Sequence, residues 1–358
     1  MKTFKNLYPK LCTFEHLRRA YYKARKNKRC KPYTCAFDYN LEREILTLQS
    51  ELKDKTYTPG IYNNFTVYEP KKRIISAAPF RDRVVHHALV DVLTPIYEPR
   101  FIHDSYACRV GKGTHRAINR CQEFMRKNTY FIHLDVVKFF PSIDHDVLTG
   151  IIRKHVRDKD IMWLISQMLT SGLAIEHHDR GPAYFPGDDL FACTRLRGLP
   201  IGNLTSQFFA NVFLNEFDIF AKEKMHCKFY VRYADDASLF SNDKKYLAKC
   251  REECAVFMSK LRLALHLEKA HVRRSRDGVR FLGFRIFPTH RLLDRRNVKR
   301  FRRKLDRMSE DYRVGSIELS EVKASVQGWI AHAAHGDTWR LRNRLFKDVH
   351  FTRETMAS

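Results

Sequence analysis

Two adjacent acidic residues, Asp235 and Asp236, stand between two short apolar segments in the sequence KFYVRYADDASLF at 228–240. Apolar side chains alternate with other residues at 229–233, which is the period of a β-strand, and a second apolar run follows at 237–240. This pattern predicts a β-hairpin with both carboxylates at its tip. Neighbouring carboxylates repel each other unless a cation neutralises them, so the pair indicates a divalent metal ion. An ordinary turn, in which Asp bonds to its own backbone, is the alternative.

A third carboxylate, Asp135, ends a second predicted strand in YFIHLDVVKFFPSID at 130–144. Alternation places Ile132, Leu134 and Val136 on one face and the Asp135 carboxylate on the exposed side. One carboxylate from this strand and two from the hairpin make an oxygen ligand set for two Mg²⁺ ions, which leave positions for substrate phosphates. Two such ions about 4 Å apart activate an attacking hydroxyl and stabilise a leaving pyrophosphate. The three Asp residues are the predicted catalytic groups, and the predicted metal contacts are Asp135, Val136, Asp235 and Asp236.

The charge of the chain indicates a polyanionic partner. In its 358 residues, 66 Lys and Arg face 40 Asp and Glu, which gives a formal net charge of +26. This excess is too large for a typical enzyme of small metabolites and predicts phosphate contacts with strong salt dependence. No apolar run approaches the ~20 residues of a transmembrane helix, and nine scattered cysteines without a CxxC pair indicate reduced thiols. A polar segment at 172–195 is predicted to be a solvated insertion and not a metal site, despite its Glu176, His177, His178 and Asp179.

Helical spacing of apolar residues predicts several helices around these strands. Thr13 is a predicted N-cap for a basic helix that ends near residue 26, and residues 1–58 as a whole are predicted to be helical. Further helices are predicted at 151–169 and 244–265.

Basic residues gather in a second predicted hairpin, which has strand-like segments at 65–68 and 74–75. Its tip carries Lys72 and Arg73, and cationic side chains there could neutralise the charge that develops on an incoming triphosphate. A solvated basic turn is the alternative. We therefore predict Lys72 and Arg73 as nucleotide contacts.

Three further residues are predicted near the nucleotide. Phe140, five residues after the strand carboxylate, could pack where a ribose 2′-hydroxyl would lie, with an ordinary core Phe as the alternative. The Gly/Pro turn RGLPIGN at 197–203 lets the backbone approach a templating base pair and leads into a helix predicted at 205–221, which begins near Gln207. Lys269 is a candidate triphosphate contact, with a plain surface lysine as the alternative.

Nucleic-acid contacts are predicted at several other places. Arg81 and Arg83 precede a helix predicted at 84–93 and could bind the template. Gly283, in a hairpin predicted at 279–287, allows a primer backbone to approach closely.

A basic face is also predicted near the end of the sequence. A helix at 297–312 carries an apolar stripe beneath Lys and Arg side chains, which include Lys299 and Arg303. This face could hold a nucleic-acid duplex.

The order of these segments resembles that of reverse transcriptases. The shared features are the basic hairpin, the Asp strand followed by FF, the Gly turn before a helix, YADD, LALHLEK at 263–269 and the LG hairpin. The resemblance covers 61–288, and 289–358 resembles the thumb of that family. It implies an α+β right-hand polymerase with fingers, an antiparallel-sheet palm and a helical thumb, after an N-terminal helical extension at 1–60. It also implies RNA-templated DNA synthesis from dNTPs with two Mg²⁺ ions.

Within that superfamily, LPIGNLTSQ at 199–207 resembles the reverse transcriptases of diversity-generating retroelements, as do YEPKKRIISA, KGTH and SVQGWIAHA. This resemblance implies that a template-repeat RNA with flanking noncoding RNA is copied into cDNA with misincorporation at adenines, and that the cDNA diversifies a target gene. It implies a basic helical accessory protein as an oligomeric partner. It also places Ile201 at the position that affects fidelity, where Gln could hydrogen-bond near the template but Ile can only pack.

Two alternative functions stay open. A retron-like or other bacterial reverse transcriptase used in phage defence would make faithful cDNA from its own noncoding RNA. A non-catalytic RNA-binding scaffold would not need clustered like charges. No endonuclease or zinc-binding domain follows the predicted thumb, so we expect an enzyme that does not cut its own DNA target. We expect a cytoplasmic protein of bacterial, archaeal or phage origin, with no membrane partner.

Overall fold

The computed structural model describes residues 2–68, 72–172 and 183–353. Its N-terminal part is helical, as predicted. The Thr13 hydroxyl accepts a hydrogen bond from the His16 amide over 3.3 Å, which confirms the predicted N-cap of the second helix. The first three of these helices pack against a later one, Phe80–Tyr97, that is here named α5. The four N-terminal helices are α1 (Tyr8–Leu11), α2 (Phe14–Arg25), α3 (Pro32–Tyr39) and α4 (Leu41–Lys53).

The basic hairpin consists of β1 (Asn63–Val67) and β2 (Arg73–Ala77), which pair antiparallel with Val67 opposite Arg73. The predicted hairpin is thus confirmed, although residues 69–71 at its tip lie outside the described residues. The next helix, α5, extends from Phe80 to Tyr97 and is therefore longer at both ends than the helix predicted at 84–93; Pro79, which has no N–H to leave unsatisfied, immediately precedes it. Arg81 and Arg83 were predicted to precede this helix, but they lie in its first turn.

A four-stranded antiparallel sheet forms the centre of the molecule, in the order β4-β5-β3-β6. Buried side chains of these strands belong to two separate cores. One face carries Ile132 and Leu239 into a core shared with α5, whereas Phe131 and Phe240 on the other face contribute to a second core. The sheet is thus covered on both sides, which confirms the predicted antiparallel palm. Its strands, with the helix that precedes them, are α6 (Thr114–Lys127), β3 (Tyr130–Leu134), β4 (Phe229–Tyr233), β5 (Asp236–Ser241) and β6 (Arg273–Arg274).

The prediction of one helix at 151–169 is wrong, because the structure has two helices in this region. The break falls at Asp158, whose carboxylate accepts hydrogen bonds from the amides of Asp160 and Ile161 over 3.0 and 3.1 Å. Asp is a better N-cap than a helix-interior residue, so a new helix begins there. The helices of this region are α7 (Phe139–Ser142), α8 (His145–Arg153), α9 (Lys159–Ser171), α10 (Leu204–Ile219) and α11 (Lys244–Lys260), and a single π-helical turn (Phe220–Lys224) follows α10.

The helix predicted at 244–265 ends early, at Lys260. Arg262 adopts the left-handed conformation at φ 56°, and the Leu263 amide donates back to the Met258 carbonyl over 2.9 Å. A left-handed residue just past the last turn is a common way to end a helix, although Gly is its usual occupant. Here the Arg262 guanidinium donates to the Asp144 carboxylate over 2.7 Å and so has a compensating contact.

A three-stranded antiparallel sheet connects the palm to the C-terminal helices, in the order β7-β8-β9. Because β9 pairs with β8, the predicted boundary between palm and thumb at residue 288 falls inside this sheet. The apolar stripe predicted for the helix at 297–312 is confirmed, because Phe301 of this helix is buried and its ring stacks on that of Trp329 with centroids 4.1 Å apart. The elements are β7 (Val279–Phe281), β8 (Phe284–Ile286), β9 (Arg291–Leu293), α12 (Arg295–Arg313), α13 (Leu319–Ala333) and α14 (Trp339–Phe346).

The architecture is α+β and matches a right-hand polymerase with a helical C-terminal part. Among the helices that the structure describes, none combines the length and the hydropathy needed to cross a lipid bilayer.

Candidate active site

The turn between β4 and β5 presents the two adjacent carboxylates, as the sequence predicts. Tyr233 pairs with Asp236, so the turn has only two central residues, Ala234 and Asp235. Ala234 has φ 52°, in the left-handed region that non-glycine residues seldom adopt. Asp236 is the first residue of β5 and is partly exposed. The local hairpin pattern was therefore sufficient to place both acids.

Asp135 follows β3 directly and lies beside this turn. The register pairs Leu134 with Ala237, so Asp135 is one position beyond the last pair, on the side of Asp236. The pKa of Asp235 is raised to about 6, mainly because the carboxyl group is buried and also because the carboxylates of Asp236 and Asp135 lie nearby. The three acids thus share one electrostatic environment.

The chemistry of the three carboxylates suits a metal ion. Its donors are carboxylate oxygens, which Mg²⁺ prefers, and their mutual repulsion would be relieved by a cation. Within the described residues, however, no three His, Cys, Asp or Glu side chains are grouped closely enough to hold a metal ion.

The backbone of Val136 also faces a defined environment. Val136 forms an isolated antiparallel bridge with Leu265, and the hydrogen bonds of this bridge join His266 N to Asp135 O (2.9 Å) and Val137 N to Ala264 O (2.8 Å). The carbonyl of Val136 is therefore not part of the bridge. The Val136 carbonyl oxygen could therefore serve as a metal ligand, which is the contact predicted for this residue.

His133 was not singled out from the sequence as a site residue. Its Nε2 lies 3.6 Å from Asp236 Oδ1, and its Nδ1 is 2.9 Å from the Ser238 hydroxyl. The signal was present, because the period of two in β3 places His133 on the same face as Asp135. An imidazole at this distance would attract the Asp236 carboxylate only when it is protonated.

Arg73, at the start of β2, lies close enough to Asp235 for its guanidinium to counteract the rise in that residue's pKa. The side chains of both Arg73 and Lys72 are exposed. The basic hairpin therefore approaches the carboxylates, which is the arrangement expected of residues that contact a triphosphate between them.

The turn that contains Ile201 is fastened to β2. The Ile201 carbonyl accepts from the Ser76 amide over 2.8 Å, and the Asn203 amide group donates to the Ser76 carbonyl over 3.0 Å. Gly202 has φ 115°, and a Cβ there would lie only 2.9 Å from the Ile75 Cγ2 atom. The close approach made by this glycine is thus to the basic hairpin.

The remaining predicted nucleotide contacts surround this region. Phe140 is partly exposed, its ring lies 5.4 Å from that of Phe139, and its carbonyl accepts from the Leu199 amide over 2.9 Å. Gln207 is exposed in the first turn of α10, and Lys269 is exposed with its ammonium 3.9 Å from Glu268. Their contacts with substrate stay predictions.

The predicted nucleic-acid contacts differ in how freely their side chains could reach a ligand. Arg81 pairs with Glu51, and Arg83 donates to the Ala78 carbonyl over 2.7 Å while it lies over the ring of Tyr33. Both arginines already have partners within the protein. Roles in nucleic-acid binding for them stay predictions.

The other three lie in the C-terminal region. Gly283, with φ 86°, occupies the turn between β7 and β8, where a Cβ would be 3.8 Å from His332 of α13. Lys299 and Arg303 are exposed on α12, on the face opposite the apolar stripe. An exposed basic helix face of this kind can follow a phosphate backbone.

A buried ionic pair lies directly behind the turn and was missed from the sequence. Arg232 of β4 is 1% exposed as a residue, and Asp218 of α10 is 0% exposed. The two form a bidentate pair, Nε to Oδ1 over 2.7 Å and Nη2 to Oδ2 over 2.6 Å. Nothing in the local pattern of either segment could reveal it, because the partners are separated along the chain and meet only in the fold.

A sequence model of the reverse transcriptase (RNA-dependent DNA polymerase) family matches residues 63–286. The chain belongs to this family. The match extends from β1 to β8 and includes all three carboxylates and the basic hairpin. This reverse transcriptase is therefore an RNA-directed DNA polymerase, and RNA templates and dNTPs are its substrates.

The chain is also similar to individual known proteins. The chain is 27% identical to Protein YkfC of Escherichia coli over 287 residues, which cover 68% of this chain and 71% of that protein. It is 27% identical to the group II intron-encoded protein LtrA of Lactococcus lactis over 182 residues, but these cover 50% of this chain and only 28% of LtrA. A structure of telomerase from Candida tropicalis aligns with a TM-score of 0.43 and 13% identity, over 68% of this chain and 59% of that one.

Proposed function

We propose that this reverse transcriptase copies a template-repeat RNA into cDNA with errors directed to adenines, and so supplies variant sequence for the diversification of a target gene. The observation that carries the proposal is the contact between the Ile201 turn and the basic hairpin. Ile201 is bonded through its carbonyl to Ser76 of β2, three residues from Arg73. An apolar side chain at this position can pack but cannot hydrogen-bond a template base, so a mismatch there loses less relative stability.

The polymerase chemistry is assigned to the three carboxylates and the basic hairpin. Asp135, Asp235 and Asp236, with the carbonyl of Val136, would hold two Mg²⁺ ions. Bound Mg²⁺ would supply Lewis-acid activation of the primer 3′-hydroxyl and neutralise the leaving pyrophosphate. The oxygen-only donor set and the raised pKa of Asp235 support this role.

Other side chains would position the substrates. Arg73 and Lys72 would hold the triphosphate, with Lys269 and Gln207 near it, so that the α-phosphate faces the 3′-hydroxyl. Phe140 would exclude a ribose 2′-hydroxyl by its bulk. When the hydroxyl oxygen bonds to the α-phosphate, the bond to pyrophosphate breaks and the primer is one nucleotide longer.

Binding of nucleic acid is assigned to the basic surfaces. Lys299 and Arg303 of α12 would contact the backbone of the template–primer duplex, Gly283 would let the primer backbone approach, and Arg81 and Arg83 would contact the template. The partners of the protein would be the template RNA with its flanking noncoding RNA and a basic helical accessory protein. Its location would be cytoplasmic.

The deciding experiment is sequencing of the cDNA made by the purified protein. The template is a defined RNA with equal numbers of the four bases, supplied with a primer, Mg²⁺ and four dNTPs. We expect errors concentrated opposite template adenines, and several-fold fewer of them in Ile201→Gln. Ile201→Val is the matched control, because it keeps an apolar side chain and should retain the wild-type error spectrum. Errors spread evenly over the four bases would reject the mutagenic function.

The second candidate is another kind of bacterial reverse transcriptase, and the similarity to the group II intron-encoded protein LtrA of Lactococcus lactis favours it. Faithful cDNA from the same reaction would select it. A non-catalytic RNA-binding scaffold would instead make no cDNA under any condition. Asp235→Asn tests that scaffold role, since it should abolish synthesis while RNA affinity stays near that of the wild type.

A further inference from the structure

The turn that carries Asp235 and Asp236 is connected to α10 through a buried guanidinium. Two nitrogens of Arg232 bind the Asp218 carboxylate, and the Tyr230 hydroxyl donates to the same carboxylate over 2.7 Å. Three groups thus meet in a space without solvent, where hydrogen bonds to charged groups are strong and their geometry is well defined.

A third nitrogen of the same guanidinium reaches the turn itself. Arg232 Nη1 donates to the carbonyl of Ala234 over 2.9 Å and to Asn211 Oδ1 over 3.3 Å. Asn211 in turn donates to the Ala107 carbonyl over 2.8 Å. The peptide before Asp235 is therefore tied to α10 and to the segment around Ala107.

Ala234 needs such a tie because of its backbone. Its φ of 52° lies in a region that costs energy for residues with a Cβ, and such conformations persist where the surroundings hold them. The carbonyl that Arg232 binds belongs to this same residue. Rotation of the Ala234 peptide would change the direction of both following carboxylates.

We propose that Arg232 is a positioning residue of the polymerase: with Asp218 as its anchor, it holds the Ala234 peptide in the left-handed conformation and so aims Asp235 and Asp236 at their ligands. This inference rests on the proposed metal-binding role of those two carboxylates. Arginine suits the task because its planar fork binds the carboxylate with two nitrogens and leaves a third for the carbonyl. A lysine ammonium has the charge but not the span.

A stabilising pair alone would leave a different signature. Buried ion pairs are often replaceable without loss of stability, so burial by itself does not indicate a role in catalysis. If Arg232 acts through the backbone of Ala234, then glycine at 234, which adopts positive φ without strain, should make the arginine less necessary. A purely structural pair would give no reason for such a rescue.

The test compares Arg232→Lys, Ala234→Gly and the double variant in single-turnover primer extension on an RNA template. We expect Arg232→Lys to lower the rate constant by roughly 10- to 100-fold, as small misplacements of reacting groups do. We expect the Mg²⁺ concentration for half-maximal activity to rise, while the KM for dNTP and the affinity for the template–primer stay within about two-fold. Ala234→Gly should be nearly neutral alone and should restore several-fold of the activity in the double variant.

Arg195→Lys is the matched control. Arg195 also forms a bidentate pair, with Asp188 over 3.0 and 2.6 Å, but it makes no bond to the turn, so this change should leave activity and Mg²⁺ requirement unaltered. The inference is overturned if Arg232→Lys is as active as the wild type, if its loss follows only a loss of folded protein, or if glycine at 234 restores nothing. Failure of the proposed metal site would be recognised separately, because Asp235→Asn would then retain synthesis.

Discussion

The amide of Ser76 donates a hydrogen bond to the carbonyl of Ile201 over 2.8 Å, although the two residues are far apart in the sequence. This bond joins the basic hairpin to the turn that precedes α10. The Asn203 side chain adds two more bonds: it donates to the Ser76 carbonyl of β2, and its oxygen accepts from the amide of Ala78, just after that strand. A movement of the β2 backbone near Ser76 would therefore be transmitted to the Ile201 turn.

Gly202→Ala should disturb this connection. The new Cβ would lie 2.9 Å from Ile75 Cγ2, on a residue whose φ of 115° already excludes most side chains. We expect a loss of about 1–3 kcal/mol in the free energy of unfolding and a raised KM for dNTP, measured by urea denaturation and steady-state extension. Gly150→Ala is the control, because Gly150 lies in α8 with open space around it and should gain about 0.5–1 kcal/mol. An unchanged KM in Gly202→Ala would contradict the coupling of turn and hairpin.

Asp235→Asn should stabilise the metal-free protein at neutral pH. The folded protein raises the pKa of Asp235 to about 6, above its usual 3.8, so the folded state takes up a proton more readily than the unfolded chain. Stability from this group is therefore present at acidic pH and is lost as the pH rises through 6. At pH 7.5 without Mg²⁺ we expect the Asn variant to be more stable by up to about 3 kcal/mol.

Thermal unfolding with and without Mg²⁺ checks this expectation. Mg²⁺ should raise the Tm of the wild type and have little effect on Asp235→Asn. An Asn variant less stable than the wild type in metal-free buffer would show that the buried, negatively charged Asp235 does not significantly destabilise the fold.

His86 should make the fold sensitive to acid. Burial in α5, with smaller contributions from His87 and Arg83, lowers the pKa of His86 to about 3. The unfolded chain takes up this proton near pH 6.5 and the folded protein does not, so stability is full above 6.5 and falls as the pH decreases below it. The slope from this one group is about 1.4 kcal/mol per pH unit. We therefore expect the free energy of unfolding, measured by urea denaturation between pH 7 and 5, to change less with pH in His86→Leu than in the wild type.

The exposed His271 provides the comparison, since His271→Leu should keep the wild-type slope. Equal slopes in all three proteins would mean that His86 does not control the acid response.

Phe140→Val should weaken discrimination between deoxyribonucleotides and ribonucleotides. The Phe140 ring is partly exposed beside Phe139, and truncation would open space at the sugar. We expect kcat/KM for a ribonucleotide to rise by roughly 10- to 100-fold, while that for the deoxyribonucleotide changes little, in single-nucleotide extension. Phe139 is buried in the core, so Phe139→Val should lower stability without a change in sugar preference. Equal selectivity in both variants would assign Phe140 to the core alone.

Features with short-range signals were predictable from the sequence. The hairpin that carries Asp235 and Asp236, the position of Asp135 and the N-cap Thr13 all follow from alternation, charge repulsion or capping within a few residues. The break before α9 could have been read from Asp158, yet an apolar period that continues across it concealed the cap. The pairing of β9 with β8 and the contact of Arg232 with Asp218 depend on tertiary packing, which local patterns do not encode.

The palm sheet also determines the order in which the site can form. β4 and β5 are joined by two residues and can pair early, but β3 must close a long loop before His133 meets Ser238, 105 residues further along the chain. During synthesis Asp135 therefore leaves the ribosome well before the carboxylates beside which it will lie. The β4–β5 hairpin can form as soon as it leaves the ribosome. When the denatured protein refolds, we expect polymerase activity to recover later than most of the secondary structure.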